Sequence, residues 1–262
     1  MKLATWNVNS VKARLPTVLD WFRGADPDVA CLQEIKCVDD TFPRLEFEDL
    51  GYVVATHGQK SYNGVAILSK SPLQDVTPGL PGDPDDDQAR YLEAVVDAPG
   101  GAVRVASLYL PNGNPAPGPK YDYKLSWMDR LIDHARDRLK LEEALVLAGD
   151  YNAIPRAEDV HDPVAWAEDA LFRPATRAKF QALKWLGLTE AFEALDDRAH
   201  QYTFWDYQGG AWPKDHGVRI DHCLLSPQAA DRLSMIQIHR DARAMTKPSD
   251  HAPVMIDLTS HP

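Results

Sequence analysis

The feature that most constrains this chain is a series of short apolar runs whose ends carry polar side chains able to do chemistry. The runs are Val29 to Leu32, Tyr52 to Ala55, Val65 to Leu68, Tyr91 to Val96, Val103 to Leu110, Ala144 to Ala148, Ile220 to Leu225 and Val254 to Leu258, with Leu3 to Trp6 ahead of them. All have strand length, and Gly, Pro, Asp or Asn bounds them. Ala98-Pro99-Gly100-Gly101 falls between two of the runs and predicts a hairpin, hence adjacent antiparallel strands. Leu15, Val18, Leu19 and Phe22, ahead of Gly24, form one helical stripe, and Leu125, Met128, Ile132, Ala135 and Leu139 form another. Core packing explains both stripes without a cofactor. Closely spaced strands and a hairpin suit two packed sheets better than one parallel sheet. The expected architecture is a four-layer α/β sandwich, two mixed and mainly antiparallel sheets flanked by helices, in a single domain over residues 1–262. Pro111 to Pro119 and Asn152 to Pro174 read as surface loops. No repeat of fixed period is evident, although a doubling of sheet and helix can lie below what one sequence reveals.

Charge and cysteine content narrow the function. Thirty-nine acidic against 28 basic side chains leave −11, so bulk charge does not hold this protein to nucleic acid or to an anionic membrane. A polyanionic substrate must be met locally. The apolar runs are far shorter than the ~20 residues that span a bilayer, and the N-terminus turns polar before a signal-peptide stretch can develop. Cys31, Cys37 and Cys223 are odd in number and lack CxxC spacing, which suggests neither a disulfide framework nor a zinc site. A cytoplasmic location is the expectation.

Several runs end in a ligand or acid–base residue rather than a generic turn. Asn7 follows Leu3 to Trp6, Glu34 follows Ala30 to Gln33, Asp150 and Asn152 follow Leu145 to Gly149, and Asp250 and His251 precede the last run. A fold that sets strand ends side by side converges these groups. Their oxygen-rich chemistry suits a hard divalent cation, Mg²⁺ with Mn²⁺ as its substitute, better than zinc. Glu34 is the first ligand candidate, with Asn7 beside it. In Gly149-Asp150-Tyr151-Asn152 the carboxylate and carboxamide stand two apart and point to one side of an extended segment. Asp150 can take a proton from an attacking water while Asn152 donates to a phosphate oxygen; an Asx-turn closing the strand would use the same residues. His251 can donate to a phosphoryl oxygen as an imidazolium, with Asp221 as the partner that keeps it charged. Tyr109 closes the run from Val103 and reaches toward the same cleft, or else makes a local hydrogen bond. Together these groups fit phosphodiester hydrolysis.

In this order the segments resemble the exonuclease III and abasic-site endonuclease family of the wider endonuclease/exonuclease/phosphatase superfamily. The resemblance runs nearly end to end. It rests on Trp6-Asn7-Val8-Asn9, Pro27-Asp28-Val29, Leu32-Gln33-Glu34-Ile35-Lys36, His57-Gly58-Gln59-Lys60 and Asn63-Gly64-Val65-Ala66-Ile67-Leu68. Gly149-Asp150-Tyr151-Asn152, Arg219-Ile220-Asp221 and Lys247-Pro248-Ser249-Asp250-His251-Ala252-Pro253-Val254 complete it. The resemblance implies Asn7 and Glu34 at the metal, with Asp250 linked to that site through water or a second ion. It implies Tyr109, Asn112, Asn152 and His251 around the scissile phosphate, Asp150 as base and Asp221 as partner of His251. Phe204 and Ile220 would wall a small pocket for an extruded base-less sugar. Val218 stands where some family members carry a bulky side chain, and Asn9 where some carry Asp.

The activity so implied is a Mg²⁺-dependent DNA repair nuclease that cuts 5′ to an abasic site and trims or unblocks 3′ ends, acting as a monomer on double-stranded DNA and not at a membrane. Lys12, Lys36, Lys60, Lys70, Lys214, Lys247 and Arg219 lie near these motifs and would form a positive rim on an acidic body. The competing readings are a superfamily phosphodiesterase for RNA, a phosphoinositide or a lipid, and a noncatalytic DNA-binding scaffold.

Overall fold

The computed structural model describes residues 1–196 and 198–260, so of the expected 1–262 span only Asp197, His261 and Pro262 lie outside the described residues. In chain order the strands are β1 (Lys2–Asn7), β2 (Val29–Gln33), β3 (Val53–His57), β4 (Val65–Ser69), β5 (Leu73–Pro78) and β6 (Tyr91–Val96). They continue with β7 (Val103–Tyr109), β8 (Leu145–Asp150), β9 (Thr189–Glu190), β10 (Asp221–Leu225), β11 (Leu233–Ile238) and β12 (Val254–Leu258). Helices α1 (Leu15–Ala25), α2 (Arg44–Glu48), α3 (Pro119–Leu139), α4 (Pro174–Trp185), α5 (Ala191–Leu195), α6 (Ala211–Lys214) and α7 (Pro227–Ala230) fall between them. No helix among the described residues is long and apolar enough to cross a membrane.

Two six-stranded sheets result, in the orders β11-β12-β1-β2-β4-β3 and β5-β6-β7-β8-β10-β9. Each has one parallel pair at its centre, β1 with β2 and β7 with β8, and antiparallel pairs elsewhere. A parallel neighbour requires a crossover, which α1 supplies in the first sheet and α3 in the second. The sheets therefore share one plan: β5 to β10 trace in the second what β11, β12 and β1 to β4 trace in the first. The ends of β1, β2, β7 and β8 and the starts of β10 and β12 consequently gather at one end of the molecule.

The apolar runs are nearly continuous because most central strands are covered on both faces. Leu3, Val29, Cys31, Val65 and Ile67 face Leu92, Val105, Val146, Ala148 and Cys223 between the sheets. Their neighbours Ala4, Trp6, Ala30, Leu32 and Leu68 face outward onto Val18, Trp21 and Phe22 of α1. Ala106, Leu108, Leu145 and Leu147 pack in the same way under Trp127, Met128 and Leu131 of α3 and Phe180 and Leu183 of α4. The four-layer expectation holds, and so does the hairpin at Ala98 to Gly101. Helix α1 runs through Gly24 and stops where Asp26 turns left-handed (φ 49°) and donates its N–H to the Phe22 carbonyl. The edge strands β5, β9 and β11 are additions to the sequence reading.

The segment entering β10 is held by a buried charge network as well as by the apolar contacts of Val218 and Ile220. Arg219 gives Asp159 two hydrogen bonds, 2.9 and 3.1 Å, pairs with Glu190 at 3.2 Å, and lies 4.8 Å from the ring centroid of Phe192. Arg219 is 1% exposed, which removes it from the expected positive rim. Replacing it leaves Asp159 with Arg156 alone and Glu190 with His222 and the Glu193 N–H, and breaking a buried pair from one side costs about 3–5 kcal/mol. Arg219→Ala should therefore lower the unfolding free energy in urea by roughly that amount; a loss below ~1 kcal/mol, the range of exposed ion pairs, would contradict this reading.

Candidate active site

Asn7 ends β1 at the centre of the first sheet. Its Nδ2 donates to Glu34 Oε1 at 2.8 Å and to Asp150 Oδ2 at 2.9 Å, while its Oδ1 accepts from the Asn9 N–H at 3.0 Å. Asn7 thus turns nitrogen, not oxygen, toward the carboxylates. In this arrangement it ties together two carboxylates from different sheets. Glu34 follows β2 with φ 50°, a left-handed backbone rare outside glycine, which swings its carboxylate off the strand. Lys36 Nζ meets Glu34 Oε2 at 2.7 Å and Asn9 Oδ1 at 2.6 Å. Burial pushes the Glu34 carboxyl up, but Lys36 and then the Asn7 amide hold it below the usual glutamate range. Asn9 Nδ2 also donates to Asp250 Oδ1 at 3.1 Å. An ammonium is already cradled by carboxylate and amide oxygens, and that donor set fits a hard divalent cation.

Across the cleft the second sheet contributes Asp150, Asp221 and Tyr109. Gly149 precedes Asp150 at the one spot where a Cβ would collide with the Leu108 carbonyl on the neighbouring β7. The Nδ1–H of His251 donates to Asp221 Oδ2 at 2.8 Å, and its Nε2 lies 3.7 Å from Asp150 Oδ2. All three side chains are buried. Burial alone would push the imidazole down, yet Asp221 and Asp150 together raise it well above 6.5. Burial pushes Asp150 up from 3.8, with His251 opposing and Asp221 reinforcing. Asp150, Asp221 and His251 bring one ligand atom each within 4.8 Å and could also hold a metal ion, in competition with the proton on His251. Tyr109 is pushed far above 10 by burial and by the charges of Glu34 and Asp150, so it stays a neutral phenol.

Asn152 also has a positive φ, 43°. Its N–H donates to Asp150 Oδ1 at 2.9 Å, the Asx-turn geometry that the sequence allowed, and its Nδ2 donates to the Leu110 carbonyl at 2.9 Å. Asn112 Nδ2 donates to Asn152 Oδ1 at 3.1 Å. Each carboxamide keeps one N–H free for a ligand. Phe204 stands edge-on to His251, ring centroids 4.9 Å apart. With Ile220, Leu171 and Trp166 it forms the apolar side of a cavity of ≈ 330 Å³. Glu34, Tyr109, Asn112, Asp150, Asn152, Asp250 and His251 form the polar side. Asn7 and Asp221 stand behind these residues.

Three basic residues besides Arg219 differ from the sequence reading. Lys70 pairs with Asp26 at 2.7 Å at the far end of β4, so it leaves the rim, whereas Lys12, Lys60, Lys214 and Lys247 are exposed. Arg90, which the sequence reading missed, lies 4.8 Å from the Tyr109 ring centroid and donates to the Tyr109 carbonyl at 3.3 Å. Lys124, also missed, is fully buried on α3 and donates to the carbonyls of Pro111 at 3.0 Å, Asn112 at 3.2 Å and Asn152 at 2.6 Å. It ties the loops after β7 and β8 together beneath both carboxamides. Lys124→Met fills the space but leaves three carbonyls without a donor, and unpaired buried acceptors cost about 1–3 kcal/mol. The urea unfolding free energy should fall by about that much; an unchanged value would show that the loops do not depend on this tie.

Comparison with known proteins agrees with the geometry. The model of the endonuclease/exonuclease/phosphatase family matches residues 4–251. Exodeoxyribonuclease III of Haemophilus influenzae is 33% identical over 98% of this chain and 100% of its own length. A 3′-5′ exonuclease from Neisseria meningitidis superposes with a TM-score of 0.94 at 40% identity, over 99% of this chain and 100% of that one. An AP endonuclease from Archaeoglobus fulgidus superposes with a TM-score of 0.93 at 33% identity, over 98% of this chain and 99% of that one. The chain belongs to the exonuclease III and abasic-site endonuclease branch of the endonuclease/exonuclease/phosphatase family.

Proposed function

We propose that this chain is a Mg²⁺-dependent DNA repair nuclease that hydrolyses the phosphodiester 5′ to an abasic site and removes nucleotides or blocking groups from 3′ ends. The observation that carries this reading is the shared cavity of Glu34, Asp150 and His251, with His251 paired to Asp221 behind it. The names of the relatives, an exodeoxyribonuclease III, a 3′-5′ exonuclease and an AP endonuclease, point to the same activity.

Each residue has a task that its surroundings favour. Glu34 would hold the ion, with Asn7 beside it and Asp250 nearby, and the Asn7 amide sets the Glu34 carboxylate in place. Mg²⁺, or Mn²⁺ in its stead, neutralises phosphate charge and assists the leaving 3′-oxygen when bound. Asp150 is the base that takes a proton from water attacking phosphorus in line. His251 is an imidazolium whose Nδ1–H is committed to Asp221, so its Nε2–H is left for a nonbridging oxygen. The free N–H groups of Asn112 and Asn152 and the neutral Tyr109 phenol complete the phosphate cradle. Phe204 and Ile220 offer an apolar wall to a sugar without asking for the edge of a base. All these groups come from one chain, which supports action as a monomeric catalytic unit spanning 1–262. Three buried, unpaired cysteines keep with a reducing cytoplasm.

A duplex bearing one abasic analogue tests the reading, set against intact duplex, RNA and a phosphoinositide, with and without chelator. Incision 5′ to the lesion that chelator abolishes is expected; no incision, or preferred cleavage of a competing substrate, would overturn it. In the same assay the rate should rise with pH along an acidic limb above the ordinary Asp range, because Asp150 is pushed upward and acts only once deprotonated. Asp150→Asn should lower kcat by about 10²–10⁴-fold, the usual worth of a general base.

A further inference from the structure

Next to the reaction cavity lies a second one that the chemistry above does not use. Trp166, Phe204 and Asp206 border both the ≈ 330 Å³ cavity over Asp150 and His251 and a neighbouring cavity of ≈ 190 Å³. His161, His216 and Val218 help to close the second chamber. Its lining is unusually rich in flat rings. His161 and His216 stack with centroids 4.7 Å apart and planes 4° from parallel, and Trp166 meets His161 edge-on at 6.2 Å. Val218 contributes only a short branched side chain to this lining.

We propose that this chamber is a stacking subsite for a nucleobase, so that the enzyme accepts a 3′-terminal nucleotide that still carries its base as well as a base-less sugar. The proposal rests on the nuclease reading and extends it to substrate choice. Continuity argues for it. Phe204 stands against His251 and lines both cavities together with Trp166, so a sugar seated on Phe204 beside His251 has the second chamber next to it. Electrostatics argues for a neutral occupant, since Asp206 on the shared wall disfavours a second phosphate. Stacking on rings is tolerant of sequence because every base has a π-face. A 3′ end suits extrusion better than an internal position because a terminal base is stacked on one side only.

The test compares removal of a 3′-terminal nucleotide with removal of a 3′-terminal tetrahydrofuran residue, the base-less analogue, from otherwise identical duplexes. In the His161→Ala/His216→Ala double variant, kcat/KM for the base-bearing end should fall about tenfold relative to the base-less end, chiefly through KM. His216→Ala alone, at an exposed ring, should move the ratio in the same direction. Cleavage of both ends with a ratio that neither variant changes would overturn the subsite while leaving the nuclease reading intact. A wild-type chain that cleaves neither end would overturn both.

Discussion

Two carboxylates and one imidazole share a buried space at the heart of this protein, and most of its chemistry follows from their need to balance charge. Asp150 and Asp221 are both nearly sealed from solvent, and His251 lies between them. Two buried negative charges this close would drive one carboxyl to protonate unless a cation stood beside them. The His251 imidazolium is that cation. It makes possible both an ionised Asp150 able to accept a proton and a fixed positive Nε2–H able to meet a phosphoryl oxygen. Asn7 complements this arrangement from the other sheet, because its two N–H groups hold Glu34 and Asp150 at a set separation.

The doubled sheet plan explains why these groups meet at all. A parallel pair at the centre of a sheet aims two strand ends the same way, and an antiparallel neighbour starts where they finish. Each sheet does this once, so the two sheets deliver Asn7, Glu34, Tyr109 and Asp150 from strand ends and Asp221 and His251 from strand starts. The outer helices, through Trp21, Phe22, Trp127 and Met128, bury the far faces of the sheets.

Much of this was legible in the sequence because burial on both faces gives central strands an apolar run, and because each run stops abruptly at a polar group. The edge strands were not legible. β5 is exposed along most of its length, and β5 and β11 each carry a register shift, so neither shows a clean run. Side-chain destinations were harder still. Arg219 reads as one more surface cation, and only the fold brings Asp159 and Glu190 around it. Lys124 sits in a helix whose apolar stripe draws attention elsewhere, although a lysine in line with buried positions on that helix was a signal that could have found it. The Asn7 amide orientation depends on the Asn9 backbone N–H two residues on, a turn detail that pattern does not reveal. Arg90 immediately precedes β6, and its place over Tyr109 continues the register in which Tyr91 pairs with Leu108.

The account stands most directly on the charge state of His251. Nitrogen-15 NMR of the imidazole ring at pH 8 reads it without reference to substrate. Raised well above 6.5 by Asp221 and Asp150, the ring should carry protons on both nitrogens there, and Asp221→Asn should return its titration toward the ordinary histidine range. A neutral ring at pH 8 in the unaltered protein would contradict the account.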